Sequence, residues 1–323
     1  MRDPQDPDDR PDGRPTLRGH VEICRLDHWF KNVFLLPGVV AAMALEPATA
    51  SPAVVPGLLV GGLSIGLVAS SNYTLNEVLD APHDRHHPSK RTRPVPAGRV
   101  SVPLAWVQWL ALFAVGLGLG LLVSPGFAAS VAGLWVMGCV YNVPPLRTKE
   151  IAYVDVITES VNNPIRMLAG WFIAGATIRP PASLLVSYWA FGCFFMAMKR
   201  YAEYRRIGDP VRARAYRRSF GYYDEARLLT SALTFAAAGA LFFGAFLMRY
   251  RLELAFSFPL VAWVLGEYFA LGLQPNSPVQ APEHLWRQRR LMLAVLLCAV
   301  TIGVLMFVDV PLLEDLFEKS RVG

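Results

Sequence analysis

Charge is scarce in this 323-residue chain: 17% of its residues are Asp, Glu, Lys or Arg, against 54% hydrophobic. With a mean hydropathy of +0.35, that balance excludes an ordinary soluble domain, whose charged share is about 25%. Cysteine is scarcer still. Cys24, Cys139, Cys193 and Cys298 are scattered with no CxxC pair, which excludes a disulfide framework and a cysteine-bound metal cluster. Three of them fall in apolar stretches, where a free thiol is a small filler. Residues 1–20 are rich in Asp, Arg and Pro and lack an apolar core, so they read as a disordered tail and not a signal peptide.

What the chain has in abundance is apolar runs near 20 residues long, the length that crosses a bilayer core as a helix. The pattern predicts nine, at about 32–50, 53–75, 104–123, 127–143, 151–176, 183–199, 228–248, 254–273 and 290–310. Most of the 31 Lys and Arg then fall on the side that holds the N-terminus, as the positive-inside rule expects for the cytoplasm. The reading is a multi-pass cell-membrane protein: one membrane domain over 21–312 and a short tail over 313–323. The net charge of +6 is mostly cytoplasmic-face charge, suited to anionic membrane lipid and phosphorylated substrates, with no nucleic-acid partner. The long polar connections, 76–103 and 200–227, are both cytoplasmic. Gly116, Gly118, Gly120, Gly239 and Gly244 permit close helix approach.

The segment 76–98 ends an apolar run with one amide, three acids and a basic cluster. Asn76, Asp80 and Asp84 are spaced i, i+4, i+8, so a continuous helix projects them from one face. Carboxylates beside a membrane span are costly to desolvate. Such a trio suits Mg²⁺, a hard ion that completes its shell with water and phosphate oxygens. Lys90, Arg91, Arg93 and Arg99 then face the uncovered phosphates. In the fifth span, Asp155, Glu159, Asn162 or Asn163, and Arg166 recur at helical spacing, and Pro164 interrupts the hydrogen-bond ladder. Two acidic clusters facing each other would hold two metal ions about one diphosphate.

On these motifs the chain resembles the UbiA superfamily of intramembrane prenyltransferases. The family's first motif, N-D-x-x-D-x-x-x-D, is matched by Asn76, Glu77, Asp80 and Asp84, and its D-x-x-x-D motif by Asp155 and Glu159. Glu77 and Glu159 stand where the family has Asp, and Pro82 is expected to distort the helix end beside Asp84. The resemblance implies an all-α bundle of nine transmembrane helices around a cytoplasm-facing cavity. It further implies Mg²⁺ on Asn76, Glu77, Asp80, Asp84, Asp155 and Glu159, with Asp80, Asp84 and Asp155 as catalytic residues. Arg25, Asp27, Trp29, Lys31 and Asn32, with Lys199, Arg200, Tyr201 and Glu203, resemble the branch that contains decaprenyl-phosphate phosphoribosyltransferases. That branch moves phosphoribose from phosphoribosyl diphosphate to a polyprenyl phosphate. The implied phosphate-binding residues are Lys90, Arg93, Asn162, Arg166, Lys199, Arg200 and Glu203.

Rival readings differ in what these residues do. Transfer of a prenyl group to an aromatic or other small acceptor uses the same metal-diphosphate chemistry, as does a terpene cyclase. A transporter would carry its charges mid-span, whereas the strongest cluster here ends a helix beside a basic loop. The rival for Asp155, Glu159 and Arg166 is an internal ion pair holding the bundle, but two acids against one Arg leave charge to be compensated. His83, His86 and His87 have a zinc-like spacing but no evident fourth ligand. Arg212, Arg214, Arg217 and Arg218 read as ordinary inside-positive anchors.

Overall fold

The computed structural model describes residues 14–85, 90–311 and 313, and among these the chain is helical with no strand. Helix α1 (Leu17–Glu22) is capped by the Thr16 hydroxyl and leads into a 3₁₀ segment, Leu26–Leu35, that runs into α2 (Leu36–Leu45). Helix α3 (Val54–Asp84) pairs along α4 (Val102–Val123), which α5 (Pro125–Asn142) follows after a one-residue break. The fifth predicted span is two helices, α6 (Val154–Ser160) and α7 (Asn162–Ile173). Helix α8 (Ala182–Ile207) packs along α10 (Glu225–Tyr250), with the short α9 (Pro210–Tyr216) between them in sequence. Two more helices, α11 (Phe258–Gly272) and α12 (Arg289–Leu305), lie side by side.

Six helical stretches among the described residues are long and apolar enough to cross a membrane: Leu17–Leu45, Val54–Asp84, Val102–Val123, Ala182–Ile207, Glu225–Tyr250 and Leu252–Gly272. The helices at the fourth, fifth and ninth predicted positions do not reach that standard. Large apolar side chains such as Leu59, Leu122, Leu233 and Leu241 point outward, as they do where hydrocarbon is the solvent. The interior is built on Phe127, Trp171 and Phe246 in one cluster and on Met198, Phe220 and Leu228 in another.

Several expected boundaries shift for local reasons. Residues 14–20, expected as part of the tail, include the start of α1, and the Thr16 N–H donates to the Arg99 carbonyl at 3.0 Å. Helix α3 continues through Pro82 to Asp84, so the proline does not disturb the register of Asn76, Asp80 and Asp84. Helix α8 outruns its apolar segment by two turns of polar residues and stops at Gly208, whose φ of 68° glycine adopts without a Cβ penalty. The kink at Val161 follows from Pro164, which has no N–H for the Ser160 carbonyl. Of the glycines expected at helix contacts, Gly116 meets Ser64 and Val68, and Gly239 meets Phe191. Gly118 and Gly244 face open space.

Candidate functional site

The last two turns of α3 and the loop after α5 converge on one ammonium group. Lys149 Nζ donates to Asp80 Oδ1 at 2.6 Å, to Asn142 Oδ1 at 2.9 Å and to Asn76 Oδ1 at 3.2 Å. Asp80 also accepts from Arg147 at 2.9 Å. The i, i+4 spacing of Asn76 and Asp80 puts both oxygens on one side of α3. Arg147 reaches them from a backbone with φ of 30°, a conformation rare outside glycine. Burial pushes the Lys149 ammonium down to about 8, against the attraction of Asp80. Glu150 beside it is half-covered; burial opposes its ionisation, but hydrogen bonds from Arg147 and Arg218 hold its carboxyl below the usual range.

Asp84, one turn on, pairs with Arg93 at 2.8 Å and with Lys90 at 3.9 Å. Lys90 also lies over the Tyr216 ring, which brings the 90–98 loop against α9. Glu77 is turned away from this group. It is buried and accepts the Val95 backbone N–H at 3.0 Å, fastening the loop to α3. His83 is exposed, and His86 and His87 lie outside the described residues.

Asp155 stands at the start of α6 with no exposed surface. Its oxygens accept from Tyr223 at 2.7 Å, Arg200 at 2.9 Å and Arg217 at 3.1 Å. Arg200 in turn donates to Glu203 at 2.8 Å and to the Tyr141 hydroxyl at 3.2 Å. Burial, then the Asp155 charge, pushes the Tyr223 hydroxyl well up, so it stays a donor. Among the described residues Lys199 makes no ion pair; Glu203, one turn on along α8, is an acid it feels. Arg166 does not pair with Asp155 or Glu159: it is 8% exposed and, among the described residues, its side chain donates only to the Asn162 carbonyl, at 3.3 Å.

The two acidic clusters differ as cation sites. Around Asp80, three oxygens from three residues already surround a positive point, and all are hard ligands of the type Mg²⁺ takes. A divalent ion fits there if the Lys149 amine moves off. Around Asp155 the oxygens are occupied by guanidinium and hydroxyl donors, so in this arrangement Asp155 orients Arg200 and Arg217 and does not fit a metal. Among the described residues, no three acids or histidines converge closely enough to hold an ion alone. Water and substrate oxygens would have to complete its shell.

Sequence reasoning missed Arg147, Lys149, Tyr223 and Arg217. Arg217, taken as an anchor with its neighbours, is inside the cluster, while Arg212 and Arg218 are indeed exposed. The one signal was compositional: two cations, Arg147 and Lys149, in a short loop between apolar helices.

The UbiA prenyltransferase family model matches residues 34–283. The chain is similar to decaprenyl-phosphate phosphoribosyltransferase of Corynebacterium glutamicum, 32% identical over 202 residues, covering 60% of this chain and 58% of the relative. It is also similar to the Mycobacterium tuberculosis protein of that name, 32% identical over 200 residues, covering 61% and 64%. The chain thus spans less than two thirds of these relatives. Among solved structures, a UbiA homolog from Archaeoglobus fulgidus bound to DMAPP and Mg²⁺ superposes with a TM-score of 0.67 at 20% identity, over 90% of this chain and all of that one.

Proposed function

The chain belongs to the UbiA prenyltransferase family and is a membrane transferase; from that premise we propose that it transfers phosphoribose from phosphoribosyl diphosphate to a polyprenyl phosphate, releasing diphosphate. The observation that carries this reading is a concentration of cationic side chains on a few acids. Lys149, Arg147, Arg93, Arg200 and Arg217 are gathered by Asp80, Asp84, Asp155, Glu150 and Glu203, while Lys199 and Arg166 form no ion pair among the described residues. Two substrates that each carry phosphate need such a concentration of cations; a neutral acceptor does not. The similarity to phosphoribosyltransferases supports the same reading.

In this reading Asn76 and Asp80 would hold a Mg²⁺ ion beside the diphosphate. The ion supplies neutralisation of the leaving group's charge. Lys149 exchanges Asp80 for a diphosphate oxygen, and Arg147 keeps Asp80 oriented. Arg93 and Lys90, gathered by Asp84, cover the diphosphate from the loop side. Arg200 and Arg217 are fixed by Asp155 before substrate arrives, so their charge is preorganised toward the departing anion, where electrostatic stabilisation is most effective. Glu203 holds Arg200 from the other side. In this reading the loops that carry these cations face the cytoplasm, with the membrane-crossing helices around the site.

Transfer of a prenyl group is the second reading, favoured by the likeness to a structure containing DMAPP and Mg²⁺. A donor screen decides between them. Purified protein with Mg²⁺ is given phosphoribosyl diphosphate with a polyprenyl phosphate, or a prenyl diphosphate with an aromatic acceptor, and diphosphate release is followed. Turnover of the first pair is expected. Robust turnover of the second pair alone would replace this reading with prenyl transfer.

A further inference from the structure

The kink between α6 and α7 holds polar groups that the diphosphate site does not use. Arg166 is more than nine-tenths buried, and its Nε has no partner. The side-chain oxygen of Asn162 and the Tyr188 hydroxyl, on α8, are also buried and unpartnered. Helix α8, which carries Tyr188, packs against both α6 and α7. Asn162 and Arg166 are one turn apart, and the guanidinium bends back to the Asn162 carbonyl, the direction helical side chains favour. Glu159, one turn earlier, forms no ion pair with Arg166, so the two charges do not neutralise each other at contact. A buried guanidinium without a counter-ion costs several kcal/mol by itself, and buried polar atoms without partners are rare enough to need an explanation.

We propose that this kink is a phosphomonoester subsite that seats the lipid acceptor's phosphate on Arg166, Asn162 and Tyr188; the proposal rests on the phosphoribosyl-transfer reading. Arg166 supplies a permanent charge and a planar fork suited to phosphate oxygens. Tyr188 supplies a hydroxyl donor. The Asn162 amide, which can present either its oxygen or its NH₂ by a flip, supplies another. Seven residues separate Asn162 from Asp155, roughly 10 Å of helix rise, which leaves room for a ribose between this phosphate and the diphosphate. In the transfer, an acceptor phosphate oxygen bonds to ribose C1 as the C1–O bond to diphosphate breaks, and diphosphate leaves with the electron pair. A dianionic acceptor has no proton to lose, so its subsite needs cations and donors and no base. The groups at the kink are of that kind. Beyond Arg166, α7 enters the apolar cluster through Ala169, Trp171 and Ile173, the environment a polyprenyl chain attached to that phosphate prefers.

The test uses full-length protein in detergent and two probes of equal tail, farnesyl phosphate and farnesol. Binding is measured directly, and steady-state KM is measured for each substrate. Arg166→Met is expected to weaken farnesyl phosphate at least tenfold and to leave farnesol unchanged. Arg166→Lys should recover part of the loss, and KM for phosphoribosyl diphosphate should stay within twofold of wild type. Equal weakening of farnesol, or no change for either probe, would overturn the subsite. A rise in donor KM without a change in farnesyl phosphate binding would give the position to the donor's 5-phosphate and overturn the lipid assignment. If Arg166→Met does not fold, Tyr188→Phe and Asn162→Ala carry the same comparison with smaller expected losses. Should wild type bind farnesyl phosphate over farnesol at Arg166 yet turn over only prenyl diphosphates, the reaction assignment fails and the subsite stands.

Discussion

Asp80 and Asp155 begin as near equivalents, each an acid at the end of an apolar stretch, and end in opposite kinds of environment. Asp80 is partly exposed, and its main partner is a lysine that shares two other oxygens. Asp155 is sealed, and arginines from α8 and from the loop before α10 grip it together with a tyrosine. An ammonium on a flexible stem is an exchangeable cation; a guanidinium held between two carboxylates is a fixed one. The difference separates two tasks that a charged site must perform. In the proposed reaction, one centre gives up its cation when substrate arrives and the other holds its cations still.

The sharpest way to break that comparison is to neutralise each acid. Asp80→Asn keeps size and removes the ligand charge, so turnover should fall to background while the thermal midpoint stays near wild type. Asp155→Asn removes the carboxylate that joins Arg217 to Arg200 and leaves the buried Arg200 with Glu203 alone, and removing one partner of a buried pair costs about 3–5 kcal/mol. Its thermal midpoint should fall steeply in the metal-free protein. If both variants folded equally well and differed only in turnover, Asp155 would be a ligand and not an anchor.

A second pair of measurements sharpens the exchange at Lys149. Lys149→Met should raise donor KM on the order of tenfold to a hundredfold, since one charge-assisted contact to phosphate contributes about 1.5–3 kcal/mol. The same variant gives a stability test without substrate. The Lys149 pKa is lowered in the folded protein to about 8, so from there up to the ordinary lysine value the unfolded chain binds a proton that the folded one has shed. Stability contributed at this position therefore rises with pH over that interval. Unfolding of metal-free wild type and Lys149→Met, followed between pH 7 and 10, should show wild type gaining on the variant as pH rises. A constant difference would mean that burial does not lower this amine.

How much of this was legible depends on sequence distance. The helices showed themselves through apolar length, and the order Asn76, Asp80, Asp84 through the helical repeat. The loop cations did not. Arg147 and Lys149 meet Asp80 from nearly seventy residues away, and Arg217 meets Asp155 from 62; no local periodicity encodes such pairings. Arg166 was visible as an intramembrane charge, yet helical spacing alone could not tell that it would bond the Asn162 carbonyl and not an acid. The family motif also carried one residue into the site by adjacency alone.

That residue is Glu77, and it gives the smallest expected effect. A motif beginning Asn-Asp implies that the second position is a ligand like the others. On a helix, however, residue 77 points about 100° away from Asn76, and here it accepts the Val95 N–H within a buried cluster formed by Val78, Ala81 and Val95. A neutral amide can accept the same hydrogen bond. Glu77→Gln should therefore keep turnover within about threefold of wild type and leave the Mg²⁺ dependence unchanged. Glu77→Ala should do worse, because the Val95 N–H then loses its acceptor, a cost of about 1–3 kcal/mol that loosens the loop carrying Arg93. The glutamine variant is the informative one. If it were as inactive as Asp80→Asn, the charge and not the hydrogen bond would be the function of Glu77, and the loop fastening would have to open for that carboxylate to reach the metal.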